Sequence, residues 1–154
     1  MKTLPFVLLL CLAGYFTSAQ DITFRSNREK QLYKPQLFVK EAARLSVRQN
    51  FINEMLTLRL NQQVTIQVTP KTNFKGRVSA IKNEVPGLQT YILQSSEIPG
   101  LVLSISKLEK NGEAPVYRGI MISKDHSDML MLEKDIQTGE YVWNKKQVAH
   151  VIPD

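Results

Sequence analysis

The sequence predicts a mainly β protein, an antiparallel β-sandwich, roll or meander barrel with one N-terminal helix. Three observations carry that prediction. From Met55 onward apolar residues recur with a period of two, the spacing that turns one face of a strand toward a core. Turn-forming pairs such as Pro86-Gly87, Pro99-Gly100, Asn111-Gly112 and Thr138-Gly139 break these runs at intervals of about ten residues, the rhythm of an all-β domain. Ahead of them stands a single stretch with apolar residues at three-to-four spacing, the helical period.

The chain opens with a secretory leader. Lys2 supplies a positive n-region, Pro5–Tyr15 (PFVLLLCLAGY) an apolar h-region, and Thr17-Ser18-Ala19 the small residues that precede a cut before Gln20. The segment 1–19 is therefore read as a signal peptide. Its apolar run is shorter than the roughly 20 residues a membrane span requires, and no second such run follows. Once the leader is removed, no stable membrane span is expected. Cys11 lies inside the apolar run behind Leu10, where a lipid-attachment site has Gly, Ala or Ser, so the leader carries no lipobox. A secreted or periplasmic location follows.

Residues 20–34 are polar and without steady periodicity, as expected of a flexible N-terminal arm. Residues 35–154 form a single helix-plus-antiparallel-β domain, of a length that buries one modest core. Pro35 suits a first helical turn. Phe38, Ala42, Leu45, Ile52 and Leu56 then recur at three-to-four spacing, interrupted at Gln49, which predicts a helix over about Gln36–Asn53. The period then changes to two. Leu56–Leu60 and Val64–Val68 alternate on either side of Asn61-Gln62-Gln63 and read as a β-hairpin closed off by Pro70. Phe74–Ile81 is the next strand. A turn over Glu84–Gly87 places Gly where a type II turn prefers it, and Thr90–Leu93, Leu101–Ile105, Val116–Ser123, Asp128–Glu133 and Glu140–Lys145 follow as strands. Val148–Ile152 is a last short one. The expected arrangement is a meander of about eight strands.

Composition narrows the function. Lys2 leaves with the signal, so the 20 basic side chains become 19 against 14 acidic ones, a net charge of +5. No window concentrates that excess, so it reads first as dispersed solvation, with an anionic surface as a secondary partner. Export excludes nucleic acid as a partner. With Cys11 removed, the exported chain has no cysteine, which excludes disulfides, thiol catalysis, iron–sulfur clusters and cysteine-ligated zinc. His126 stands in Lys-Asp-His-Ser-Asp, where turn chemistry accounts for the Asp and Ser side chains. The sequence lacks H-E-x-x-H, G-x-S-x-G and any glycine-rich phosphate loop. Glu97 with Glu113, or Asp125 with Asp128, give no reason for raised acidity constants of the kind paired glycosidase carboxylates need. No catalytic, metal or cofactor residue is assigned, and no cofactor is expected.

The aromatic residues are more informative. Tyr141 and Trp143 are two apart and share one strand face, and Tyr117 falls on a neighbouring strand. Exposed, the three would form a contact platform for a peptide or glycan; buried, they fill the core. They are the candidate interaction surface. Phe74 and Gly76 also share a face, where Gly76 marks a bulge or a close backbone approach.

Leu56–Leu60, Val64–Val68, Phe74-x-Gly76-x-Val78, Leu101–Ile105, Tyr117-x-Gly119-x-Met121 and Tyr141-Val142-Trp143, in that order, resemble the β-rich propeptide region of secreted reprolysin-type (adamalysin-like) zinc metalloproteases. The resemblance covers about Met55–Asp154 and implies an antiparallel fold with an inhibitory role. Two features depart from it: the exported chain lacks the zinc-capping thiol of many such propeptides, and Arg77 stands where the aspartate of the F-x-G-D alternative would be. The functional expectation is an exported non-enzymatic binding or interaction domain acting on a protein or glycan of the cell envelope, with a propeptide-like inhibitor as its specific version. The alternative is a glycan-interacting enzyme or accessory module of the envelope.

Overall fold

The computed structural model describes residues 30–150, apart from 31, 49 and 111. The signal-peptide reading and most of the N-terminal arm fall outside the described residues. Along the chain come β1 (Arg44–Ser46), α1 (Phe51–Leu56), β2 (Gln63–Gln67), β3 (Asn73–Val85), β4 (Leu88–Ser95), β5 (Leu101–Leu108), β6 (Val116–Ser123), β7 (Asp128–Lys134), β8 (Tyr141–Gln147) and a 3-10 turn over Val148–His150. The eight strands make one antiparallel sheet in the order β1-β8-β7-β6-β5-β4-β3-β2. β2 to β8 are a plain meander, and β1 is added to the free edge of β8. The sheet curls into a roll, or half-barrel, whose two edge strands, β1 and β2, face a common seam.

Alternation sorts the side chains. Ile66, Phe74, Val78, Tyr91, Leu93, Leu101, Leu103, Ile105, Met121, Leu130, Leu132 and Trp143 are buried on the concave side in one core cluster, which Phe38, Phe51 and Met55 join from outside the sheet. α1 lies in the concavity. Its buried Phe51 meets Trp143 edge to face at 5.6 Å between ring centroids, and the hydroxyl of Tyr91 donates to the carbonyl of Leu56 at 2.7 Å. Gly76 is required by a close approach: a Cβ built there would lie 2.1 Å from the carbonyl oxygen of Gln94 on β4. Gly87, with φ 75°, takes the left-handed position of the Pro86-Gly87 turn between β3 and β4.

The strand registers define two ends of the roll. At one, the turns 69–72, 96–100 and 124–127 and the 3-10 turn gather beneath the segment Pro35–Ala43. At the other, the open end, stand Ser46, Val85, Val116 and the β7–β8 turn Asp135–Glu140.

Several expectations are corrected. No helix spans Gln36–Asn53. Residues 35–43 are irregular because tertiary partners claim their backbone: the fully buried carboxylate of Asp128 accepts the N–H of Leu37 at 2.6 Å and of Phe38 at 2.9 Å. The Lys145 amine donates to the carbonyls of Phe38 and Glu41. Leu45 then pairs with Trp143 as part of β1, so the only α-helix longer than a turn among the described residues is the short Phe51–Leu56. Helix propensity is a weak preference that such contacts override. The expected hairpin partner of Val64–Val68 is also different. Leu56–Leu60 is the end of α1 and a loop, while β2 pairs with β3 through the turn Thr69–Thr72. Asn61 and Gln62 together oppose Val78 in a bulge: Asn61 N–H donates to Val78 O at 2.9 Å, Val78 N–H to Gln62 O at 3.0 Å, and Asn61 takes the left-handed φ of 65°. Val148, expected to start a last strand, instead enters the 3-10 turn, its N–H held by Ser127 O at 2.8 Å. Among the described residues no helix is long and apolar enough to cross a membrane.

Candidate functional site

The three aromatic residues of the interaction-surface expectation come together, but in a graded way. Trp143 is 0% exposed and belongs to the core, so it presents no contact surface of its own. Its Nε1 is buried without a hydrogen-bond partner among the described residues. Tyr141 and Tyr117, on β8 and β6, are half-buried and meet edge to face at 5.5 Å. The Tyr141 hydroxyl accepts the Tyr117 N–H at 3.0 Å. The row therefore runs from buried Trp143 up to Tyr141 at the rim.

Tyr141 there lines a cleft of about 390 Å3 together with Ser46, Val47, Arg48, Ile52 and Glu140. Three elements position it. β1 ends at Ser46, paired opposite Val142. The first turn of α1 presents Ile52. The β7–β8 turn presents Glu140 and is held by its own chemistry: Asp135 Oδ1 accepts the N–H groups of Gln137 and Thr138 at 2.7 and 3.0 Å, and Glu140 O accepts Asp135 N–H at 2.7 Å. An ion pair from Arg44 to Asp135 ties this turn to β1. Arg48 is ion-paired with Glu54 of α1. Behind the wall Ser46–Arg48 lies a second, smaller cleft of about 260 Å3, lined on its far side by Gln67, Val68, Thr69 and Pro70.

Beside the larger cleft, Ile136 in the β7–β8 turn is 100% exposed and Val116, next to Tyr117, is also exposed; Val85 and Leu60 are exposed elsewhere on the roll. An apolar rim next to a cleft is the composition of a contact surface rather than of a solvated turn. The sequence assigns none of Arg48, Ile52, Glu140 and Ile136 to an interaction surface, and Ile52 enters it only in the apolar stripe of the expected helix. Ile136 left a readable signal, an isoleucine inside the turn sequence Asp-Ile-Gln-Thr-Gly; the other three did not.

The catalytic possibilities weighed in the sequence resolve into turns and caps. His126 Nδ1 lies 2.9 Å from the hydroxyl of Ser123, which is itself buried and also accepts the Asp125 N–H. Asp128 is occupied by the two N–H groups of Leu37 and Phe38, and Glu97 pairs with Lys75 at 2.8 Å. Glu133, on the outer face of β7, is held below the usual carboxylate range first by the hydrogen bond from Lys146 and then by that from Asn144, against an opposing desolvation. Its role is to pin β7 to β8. No group of three or more metal-ligating side chains is present among the described residues. No protein family, characterised protein or solved structure matches the chain.

Proposed function

We propose that this chain is an exported, non-enzymatic interaction domain whose partner, a protein of the cell envelope, docks at the open end of the roll. The observation that supports this reading is the juxtaposition of the Tyr141 cleft with two exposed apolar residues, Ile136 in the turn that also supplies Glu140 and Val116 next to Tyr117, which packs on Tyr141. Such residues gain nothing in the isolated fold and gain burial only in a complex. Arg48 and Glu140 add charges of both signs at the cleft mouth, the polar rim that fixes orientation around an apolar contact. An inhibitory, propeptide-like role is the narrower version of this proposal, with the cleft end rather than a zinc-directed side chain as its working surface. The glycan-interacting alternative draws on the same cleft, where the Tyr141 ring stands beside Arg48 and Glu140.

Photo-cross-linking in the native envelope tests it. A benzophenone amino acid at Ile136 is expected to give a discrete protein adduct, and the same group at Val39, also exposed but at the opposite end, none. Adducts of equal yield from both positions, or from neither, would remove the open end as the docking surface.

A further inference from the structure

β2 is an edge strand with an unusual sequence: Gln63-Val64-Thr65-Ile66-Gln67 reads nearly the same in both directions. Natural edge strands are protected against pairing by charged side chains, proline or bulges. β2 carries none of these within its five residues, and its register against β3 is unbroken from Gln63 opposite Arg77 to Gln67 opposite Asn73.

The backbone of this edge is oriented for pairing. Val68 N–H donates to Thr72 O at 2.9 Å and Val78 N–H to Gln62 O at 3.0 Å. Even-numbered residues therefore bond to β3, and by the alternation of an antiparallel ladder the N–H and C=O groups of Gln63, Thr65 and Gln67 point away from it. These three residues are exposed, as required of a free edge. On the concave side, half-buried Val64 lies beside buried Ile66.

We propose that β2 pairs with β2 of a second copy of this chain, antiparallel about a twofold axis through Thr65, to form a homodimer with one continuous sheet. A second copy is the occupant that the strand's own symmetry selects. In this register Thr65 faces the partner's Thr65, and Gln63 faces the partner's Gln67. The outward backbone groups then form about six inter-chain hydrogen bonds, two at each of three pairs. On the outer face the glutamine amides meet as donor and acceptor and the two threonine hydroxyls meet each other. On the concave face Val64 meets the partner's Ile66. No charged side chain lies in the paired run, so nothing in it repels. The contact is isologous, which closes the assembly at two copies. It uses the seam edge of β2, none of whose residues lines the Tyr141 cleft.

Single cysteines test the register, because the chain that begins at Gln20 contains none. Thr65→Cys brings two thiols onto the axis, where facing Cα atoms about 5.5 Å apart fall in the range a disulfide spans. It is expected to oxidise to a covalent dimer. Gln63→Cys places its thiol about 14 Å along the strand from its own symmetry mate and is expected to stay monomeric in covalent terms, whereas Gln63→Cys combined with Gln67→Cys cross-links. Sedimentation equilibrium of the cysteine-free chain should show a monomer–dimer equilibrium, weakened at least about tenfold by Thr65→Lys, equivalent to about 1.4 kcal/mol. The melting temperature of Thr65→Lys at dilute concentration should be unchanged, which separates lost pairing from lost folding. A chain that sediments as a monomer at millimolar loading, a dimer insensitive to Thr65→Lys, or equal cross-linking of the two single-cysteine variants would each overturn the proposal.

Discussion

The two ends of the roll solve opposite problems with the same kind of material. At the end covered by Pro35–Ala43, an irregular segment is laid across the turns, and buried polar side chains brought there are turned to structural use, with Glu41 Oε2 the one buried atom among them left without a partner among the described residues. Asp128 receives two backbone N–H groups, Lys145 caps two carbonyls, and one carboxylate oxygen of Glu41 accepts the hydroxyls of Thr69 and Thr72 across the seam. Phe38 is driven into the core as the plug. A segment without regular structure has no internal partners for its N–H and C=O groups, so side chains must supply them. At the opposite end the turns satisfy themselves locally, as Asp135 does for Gln137 and Thr138, and leave Ile136, Val85 and Val116 uncovered. One end spends its side chains on closure and the other presents them.

Packing at the closed end gives the largest expected effect. Phe38→Ala should destabilise the fold by about 3–5 kcal/mol, as buried aromatic truncations do. Ile136→Ala at the open end should change stability by less than about 0.5 kcal/mol. Urea unfolding of the two variants ranks them directly. Equal losses would mean that Ile136 is packed and that the two ends do not differ as described. Asp128→Ala comes next. It leaves the N–H groups of Leu37 and Phe38 without their acceptor, at about 1–3 kcal/mol for each buried donor left unsatisfied. Asp128→Asn retains one acceptor oxygen and should lose less. Hydrogen exchange at Leu37 and Phe38 should accelerate in Asp128→Ala while the amides of β5 stay protected; loss of protection throughout the sheet would show that the closed end is inseparable from the core.

The sequence was most legible where one period rules. From β3 to β8 every strand expected from alternation is present, because a meander of neighbouring strands needs only local pattern and turn residues. The aromatic grouping was legible too: Tyr141 and Trp143 share a face, with Tyr117 against Tyr141. What alternation does not encode is depth, since the same face runs from the core at Trp143 to the rim at Tyr141. Both ends of the roll resisted reading for a second reason. Asp128 lies about ninety residues from the N–H groups it holds, so nothing local announces that Pro35–Ala43 will be irregular rather than helical. β1 exists because Leu45 finds Trp143, again a distant partner. The interruption of the apolar spacing at Gln49 is the one local sign in the sequence that the helical period does not extend through the segment. The cleft inherits this difficulty, because Ser46, Val47, Arg48 and Ile52 all come from the stretch whose path is set at long range.

Acid titration gives a smaller effect and a control that belongs to neither end. The carboxyl of Glu133 is lowered from its ordinary value of 4.5, chiefly by its hydrogen bond from Lys146. A carboxyl lowered in the folded state contributes stability that is complete above the unfolded value and is lost as pH falls through the folded one. Melting temperature should therefore decline below about pH 4.5 in the parent, and Glu133→Gln should flatten part of that decline while costing some stability at neutral pH. The cysteine-free closed end should be indifferent to reductant throughout. An acid limb unchanged by Glu133→Gln would show that its pairing with Lys146 does not persist in solution.

The smallest effect on stability carries the most about function. Ile136→Asp and Val39→Asp place the same carboxylate at two exposed positions, one at each end. Neither side chain contributes appreciable burial, so both variants should unfold within about 0.5 kcal/mol of the parent. Their consequences for partner binding should diverge. A docked apolar tip loses its burial, and its new charge must be desolvated without a counter-ion, so Ile136→Asp should weaken envelope-partner association at least about tenfold. Val39→Asp has no such contact to lose. Quantitative cross-linking from a second probe at Val116, which the substitutions leave in place, reads the difference without assuming the partner's identity. If Val39→Asp reduces the adduct as much as Ile136→Asp, the partner does not distinguish the ends, and the exposed tips are only turns whose apolar residues the fold tolerates.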